Sequence, residues 1–198
     1  MSSLYFLDSN VIIDWIVIST KLEQDVDIEK GESIQARFRE KSYAYTVVNL
    51  LLGEPNVDVM TCDLALAESY GGVKNEIVCE KLYRRGIPYS MWKSHEKYEK
   101  LRGDDLDLFH STMTKYFRKL KKSVRIARDI VDDDVFPLLY HKGNVGIYDS
   151  ILITTAIMNG ANIFITQDTR IVKLKNKAFY KFGTEPIKPI ILLKSYTK

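Results

Sequence analysis

Short apolar runs separated by polar punctuation set the rhythm of this chain. Leu4 to Leu7 stops at Asp8, the form of a buried strand carrying a carboxylate at its C-terminal end. Asn10 then opens a predicted helix on which Val11, Ile12, Trp15 and Ile16 recur at helical spacing. Residues 21–42 are densely charged and read as a solvated excursion or helix, after which Tyr43 to Leu52 turns apolar and helical. Gly53-Glu54-Pro55-Asn56 stops that helix. Val57 to Thr61 reads as a second strand, and Asp63 as the N-cap of a helix that runs through Glu68. From Asn75 to Leu139 the pattern is mostly helical, broken at Gly86-Ile87-Pro88 and at Arg102-Gly103-Asp104. A loop over Gly143–Gly146 precedes a helix from Ile147 to Asn159, with Gly160 as its stop. Asn162 to Thr166 is a third strand and Ile190 to Leu193 a late one. Strands alternating with helices predict a three-layer α/β/α sandwich with a central, mostly parallel sheet. No repeat or Pro/Ser-rich linker divides residues 1–198, so one domain is expected, enlarged by a charged insertion near 21–45 and a helical middle over 75–140.

Composition changes this picture little. With 198 residues, 45% hydrophobic and 28% charged, the chain has the balance of an ordinary globular domain with a sizeable core. No stretch approaches the roughly 18 uncharged apolar residues of a membrane span. Nor does a basic region precede an apolar segment at Met1-Ser2-Ser3, so a cytoplasmic protein without a membrane partner is expected. Cys62 and Cys79 form neither a CxxC pair nor a disulfide framework and read as small buried thiols. The net charge of +3 identifies no partner, but its distribution is informative. Lys115, Arg118, Lys119, Lys121, Lys122, Arg125 and Arg128 cluster in what reads as one helix, opposite an apolar face of Met113, Tyr116, Phe117, Leu120, Val124 and Ala127. A solvated amphipathic face accounts for this pattern; so does a surface that tracks RNA phosphates, to which Lys173, Lys175 and Lys177 would add.

The carboxylates carry the chemistry. Asp8 ends the first strand, Glu68 lies about a helical turn past the second, Asp149 sits in the first turn of a helix, and Asp168 follows the third strand. Ligands of an open parallel sheet bind at the carboxyl ends of its strands, so these acids are expected to converge on one edge. Gathered carboxylates repel and resist burial, and a divalent cation relieves both effects. An oxygen-only donor set without a His/Cys pattern favours Mg²⁺ or Mn²⁺ over Zn²⁺. Singly, each acid has a plainer explanation as a cap, a strand terminator or a solvated side chain.

Taken in order, these segments resemble the PIN-domain family, including the VapC-type toxins. The resemblance rests on Phe6-Leu7-Asp8-Ser9-Asn10-Val11-Ile12-Ile13, Asp63-Leu64-Ala65-Leu66-Ala67-Glu68, Asp149 through Gly160, and Ile163-Phe164-Ile165-Thr166-Gln167-Asp168. It implies Asp8, Glu68, Asp149 and Asp168 as catalytic metal ligands for one or two Mg²⁺ or Mn²⁺ ions. It further implies that Asn10 and Thr166 position them through hydrogen bonds and that Ser9 supports the first turn. The activity it implies is endonucleolytic hydrolysis of RNA to 5′-phosphate and 3′-hydroxyl ends, by a toxin with an antitoxin partner or by an RNA-processing enzyme. Homodimers are common among such domains. Two features depart from the family pattern: Thr169-Arg170-Ile171 stands where an aromatic residue usually follows, and the chain is longer than the compact toxins.

Rival readings are weaker on chemical grounds. His95, His110 and His141 lie in the helical middle and read as ordinary surface or packing residues, and metal-bound water needs no separate base. Asp132-Asp133-Asp134 reads as a solvated helix end, because adjacent residues of one turn point apart. Leu7-Asp8-Ser9-Asn10 is similar to the haloacid-dehalogenase phosphatase motif, but Asn10 replaces the second acid that chemistry requires. A PIN-like domain that binds RNA or protein without cutting is the remaining alternative. It would be favoured by splayed carboxylates or by a lysine or arginine blocking them.

Overall fold

A computed structural model of the chain describes residues 3–23, 32–96, 99–174 and 182–196, with residues 32–37 described by their backbone alone. Residues 24–31 of the charged insertion, and Lys175 and Lys177, lie outside the described residues. β1 (Ser3–Leu7) leads into α1 (Ser9–Glu23), followed by α2 (Glu32–Gly53), β2 (Val57–Cys62) and α3 (Asp63–Arg84). A 3₁₀ turn at Tyr89–Met91 precedes α4 (Trp92–Glu96), α5 (Asp104–Ser123) and β3 (Arg125–Ala127). α6 (Val135–Pro137) passes through a π turn at Leu138–Lys142 to α7 (Ile147–Met158). Then come β4 (Ile163–Ile165), α8 (Thr169–Val172), β5 (Glu185–Ile187) and α9 (Pro189–Tyr196).

Among the described residues the sheet has five strands in the order β3-β2-β1-β4-β5, and every neighbouring pair is parallel. The fold is a three-layer α/β/α sandwich. Its strands are short apolar runs because both faces are covered, and the last three residues of β1 and the last four of β2 are buried. The chain steps outward from β1 to β2 and β3, then returns to the other side of β1 for β4 and β5. This reversal leaves a crevice at the carboxyl ends of β1 and β4, where open α/β sheets bind their ligands. Phe6 and Phe164 are register partners on those two strands, and their rings stack with centroids 5.2 Å apart. α1 packs on α2, α3 and α5. The α1–α3 approach depends on Gly72, whose ideal Cβ position lies 2.1 Å from Ile13 Cδ1.

Four expectations need correction. The helical middle contains a strand: Arg125-Ile126-Ala127 is β3, partly exposed and paired on one side only with Met60-Thr61-Cys62. Three residues at a sheet edge leave no alternation for a pattern to reveal. Ile190–Leu193 is helical rather than a strand, inside α9, and the late strand is Glu185–Ile187. A four-residue apolar run does not distinguish the two states; Pro189 fits the first helical position, and Pro186 is tolerated because β5 is an edge. Asp63 is the first residue of α3, with Cys62 at its N-cap. Finally, Asp132 precedes α6, whose N-cap is Asp134, rather than ending a helix, its Oδ1 accepting the backbone N–H of Val135 at 2.8 Å and of Asp134 at 3.0 Å. No helix among the described residues is long and apolar enough to cross a membrane.

Candidate metal centre

Asp8 stands where β1 becomes α1, and backbone bonds hold it from both sides. Its N–H donates to Ile165 C=O at 3.1 Å, extending the β1–β4 ladder, while its own C=O accepts from the N–H of Val11 at 3.1 Å and of Ile12 at 3.2 Å. The residue is 2% exposed. Oδ1 accepts the Ser9 N–H at 2.7 Å, and Oδ2 accepts from Asn10 Nδ2 at 2.5 Å and from Thr166 Oγ1 at 2.6 Å. Thr166 Oγ1 also accepts the Asp168 N–H at 2.9 Å, and Asn10 Oδ1 accepts the Gln167 N–H at 2.9 Å. One network therefore ties the β1 turn to the β4 turn. Burial pushes the Asp8 carboxyl up to about 7; the donors from Thr166 and Ser9 oppose this, while the charges of Asp149 and Glu68 reinforce it.

The other acids arrive from separate elements. Glu68, half-buried on α3, is raised by burial and by the charge of Asp149, against a hydrogen bond with the Ser9 side chain. Asp149, in the first turn of α7, is raised by burial and by the charge of Asp168. Gly146 leaves it room: an ideal Cβ there would lie 3.3 Å from Asp149 Oδ2. Asp168 caps α8, its Oδ1 accepting the Arg170 N–H at 2.7 Å, and the Arg170 hydrogen bond holds its carboxyl below the usual range. Each acid is thus coupled by charge to at least one other, with Asp149 in three of the four pairings and Asp8–Glu68 the fourth.

Four carboxylates with one nearby guanidinium make a donor set of hard oxygens and surplus negative charge. The donor chemistry fits a Mg²⁺- or Mn²⁺-sized ion. Gathering stops short of coordination, since no three acidic, imidazole or thiol side chains among the described residues are already spaced to hold one ion. Ser9, Asn10 and Thr166 all touch Asp8.

The sequence pattern missed two contributors. Gln167 links the centre to a largely buried ionic cluster, its Nε2 donating to Asp14 Oδ2 at 3.3 Å while Lys41 Nζ lies 2.6 Å from Asp14 Oδ1 and 3.3 Å from Glu76 Oε1. Only the i+2 spacing of Arg170 after an N-cap acid signalled the second. Ile171 of α8 is buried in the main core, 3% exposed.

The basic residues do not form one helical stripe. Lys115, Arg118, Lys119, Lys121 and Lys122 are exposed on α5, whose opposite face buries Met113, Tyr116, Phe117 and Leu120. Lys115 pairs with Glu23 at 2.5 Å, and Lys119 Nζ lies 5.4 Å above the Trp15 ring. Arg125 belongs to β3 and sits level with Met60. Arg128 follows Ala127, which is level with Cys62, and so reaches the carboxyl edge where the acids gather. Because α5 enters β3 at its N-terminal end, Lys121 and Lys122 lie on the side away from that edge. Cys62 and Cys79 are buried and form no disulfide among the described residues. His95 and His110 lie on α4 and α5, and His141 in the π turn.

No protein-family model matches the chain. It is 30% identical over 87 residues to an uncharacterized protein of Archaeoglobus fulgidus, covering 44% of this chain and 72% of the archaeal one. The two belong to one family. The archaeal relative, described only as an uncharacterized protein, assigns no chemistry to this chain.

Proposed function

We propose that the protein is a metal-dependent endoribonuclease of the PIN type, its centre formed by Asp8, Glu68, Asp149 and Asp168. The observation that carries this reading is Asp8: a carboxylate 2% exposed, at the switch point of a parallel sheet, facing further acids and held by hydrogen-bond donors rather than by a cation. Such a group is costly for folding alone and well prepared for a divalent ion. A bound Mg²⁺ or Mn²⁺ would supply charge neutralisation at the phosphodiester and an activated water.

The chain's own contribution is placement. Ser9, Asn10 and Thr166 hold the Asp8 carboxylate in one orientation by saturating its inner lone pairs. Glu68 and Asp149 approach from α3 and α7, and the surplus negative charge keeps their carboxylates ready to accept a cation rather than a phosphate. Asp168 completes the ligand set or orients the attacking water. Two cellular roles remain for such an activity: a toxin with an antitoxin partner, or an RNA-processing enzyme.

The expected result is cleavage of mixed-sequence single-stranded RNA in Mn²⁺ or Mg²⁺ by the wild type, abolished by EDTA and by Asp149→Asn. One observation favours the rival reading of a binding module that does not cut: Arg170 already pairs with Asp168, with Nη2–Oδ2 at 2.5 Å. RNA bound but left intact by the folded wild type, across varied RNA and both metals, would select that reading.

A further inference from the structure

Arg170 is placed unlike an ordinary structural cation. Nε lies 3.2 Å from Asp168 Oδ1 and 3.1 Å from Oδ2, and Nη2 lies 2.5 Å from Oδ2, so the guanidinium fork covers both carboxylate oxygens. The Arg170 side chain is nevertheless 84% exposed, while that of Asp168 is 19% exposed. Capping of α8 does not require it, because the Arg170 backbone N–H already makes the cap bond to Oδ1 at 2.7 Å. The charge of Asp149 also acts on Arg170, which pairs directly with Asp168.

An exposed ion pair of this kind is weakly held in water. The oxygens it covers are those an arriving divalent ion would need. A planar guanidinium also matches a phosphodiester as well as it matches a carboxylate, through paired N–H donors. We propose that Arg170 is a substrate-binding residue that rests on Asp168 in the metal-free chain and transfers to an RNA phosphate when a divalent ion takes its place. This rests on the nuclease reading and deepens it. Arg170 becomes a phosphate contact beside the reacting bond, and its pairing with Asp168 becomes the resting position of that contact rather than a block. The exchange replaces a guanidinium of charge +1 by an ion of charge +2, which neutralises one more unit of the surplus negative charge while the guanidinium pairs with the phosphate.

The test measures Mn²⁺ binding by loss of the free-ion electron paramagnetic resonance signal, for wild type, Arg170→Ala and Arg170→Lys, together with KM and kcat on single-stranded RNA. Removing the competing guanidinium should tighten Mn²⁺ binding by about fivefold in Arg170→Ala. The same variant should raise KM by roughly tenfold with a smaller change in kcat, and Arg170→Lys should recover part of the loss. Unchanged or weaker Mn²⁺ binding by a folded Arg170→Ala protein would overturn the exchange. A wild type that takes up no Mn²⁺ would remove the nuclease reading itself, and this inference with it.

Discussion

Asp8→Asn is expected to remove RNA cleavage while abolishing a loss of stability that the metal-free wild type suffers between about pH 4 and pH 7. In the folded chain burial raises the Asp8 carboxyl from 3.8 to about 7. Between those values the folded state holds a proton that the unfolded state has released, so raising the pH favours unfolding. Above pH 7 the full penalty is present, on the order of 4 kcal/mol for a shift of about three units. An asparagine carries no charge there and escapes this term, although its amide meets donors from Ser9, Asn10 and Thr166 with one acceptor fewer. The two stability curves, measured by urea unfolding in EDTA from pH 4 to pH 8, should therefore diverge as pH rises, to the relative advantage of the variant. Glu68 and Asp149, also raised, add slope of the same sign to both proteins. Cleavage should fall by more than about a hundredfold, the upper end of what removing an outer partner of a metal ligand costs. Parallel curves would mean that Asp8 is ionised at no cost, which would undo the argument for a cation from its burial.

Trp15→Ala is the second large effect, and it separates scaffold from chemistry. Trp15 is 0% exposed and meets Tyr116 of α5 edge-on at 5.3 Å, with Nε1 donating to Asn49 Oδ1 on α2 at 3.3 Å. One side chain thus joins α1 to both neighbouring helices. Truncating it should cost about 3–5 kcal/mol in urea unfolding. Because the first turn of α1 carries Ser9 and Asn10, cleavage by the protein that remains folded should also weaken. Trp92, in the smaller cluster with Val78, Cys79 and Leu82, provides the contrast: Trp92→Ala should lower stability and leave cleavage by folded protein intact.

Legibility along the sequence follows the physics of each segment. β1 and β4 announce themselves because a strand covered on both faces is mostly apolar, β2 despite Asp58 at its exposed start, and Asp8 is visible as the abrupt end of such a run. β3 and β5 do not, because an edge strand of three residues needs few ladder bonds and no pattern. The same error misplaced Arg125 and Arg128, read as helical but lying in and after β3. That Asp149 lies close enough to be coupled by charge to Asp8, Glu68 and Asp168 accords with their order, since a parallel sheet brings the ends of its strands to one edge. Which lone pairs of Asp8 are already taken is not legible, because Thr166 lies 158 positions away from it. Arg170 is the most consequential omission: in sequence it is one residue of the stretch after Asp168, and in space its guanidinium pairs with that carboxylate.

Anomalous diffraction at the manganese edge, from crystals of wild-type protein grown with MnCl₂, tests the metal centre most directly. The account predicts one or two peaks among the carboxylates of Asp8, Glu68, Asp149 and Asp168, with Arg170 displaced from Asp168. No peak at that edge from crystals grown at saturating MnCl₂, with Arg170 still seated on Asp168, would contradict it.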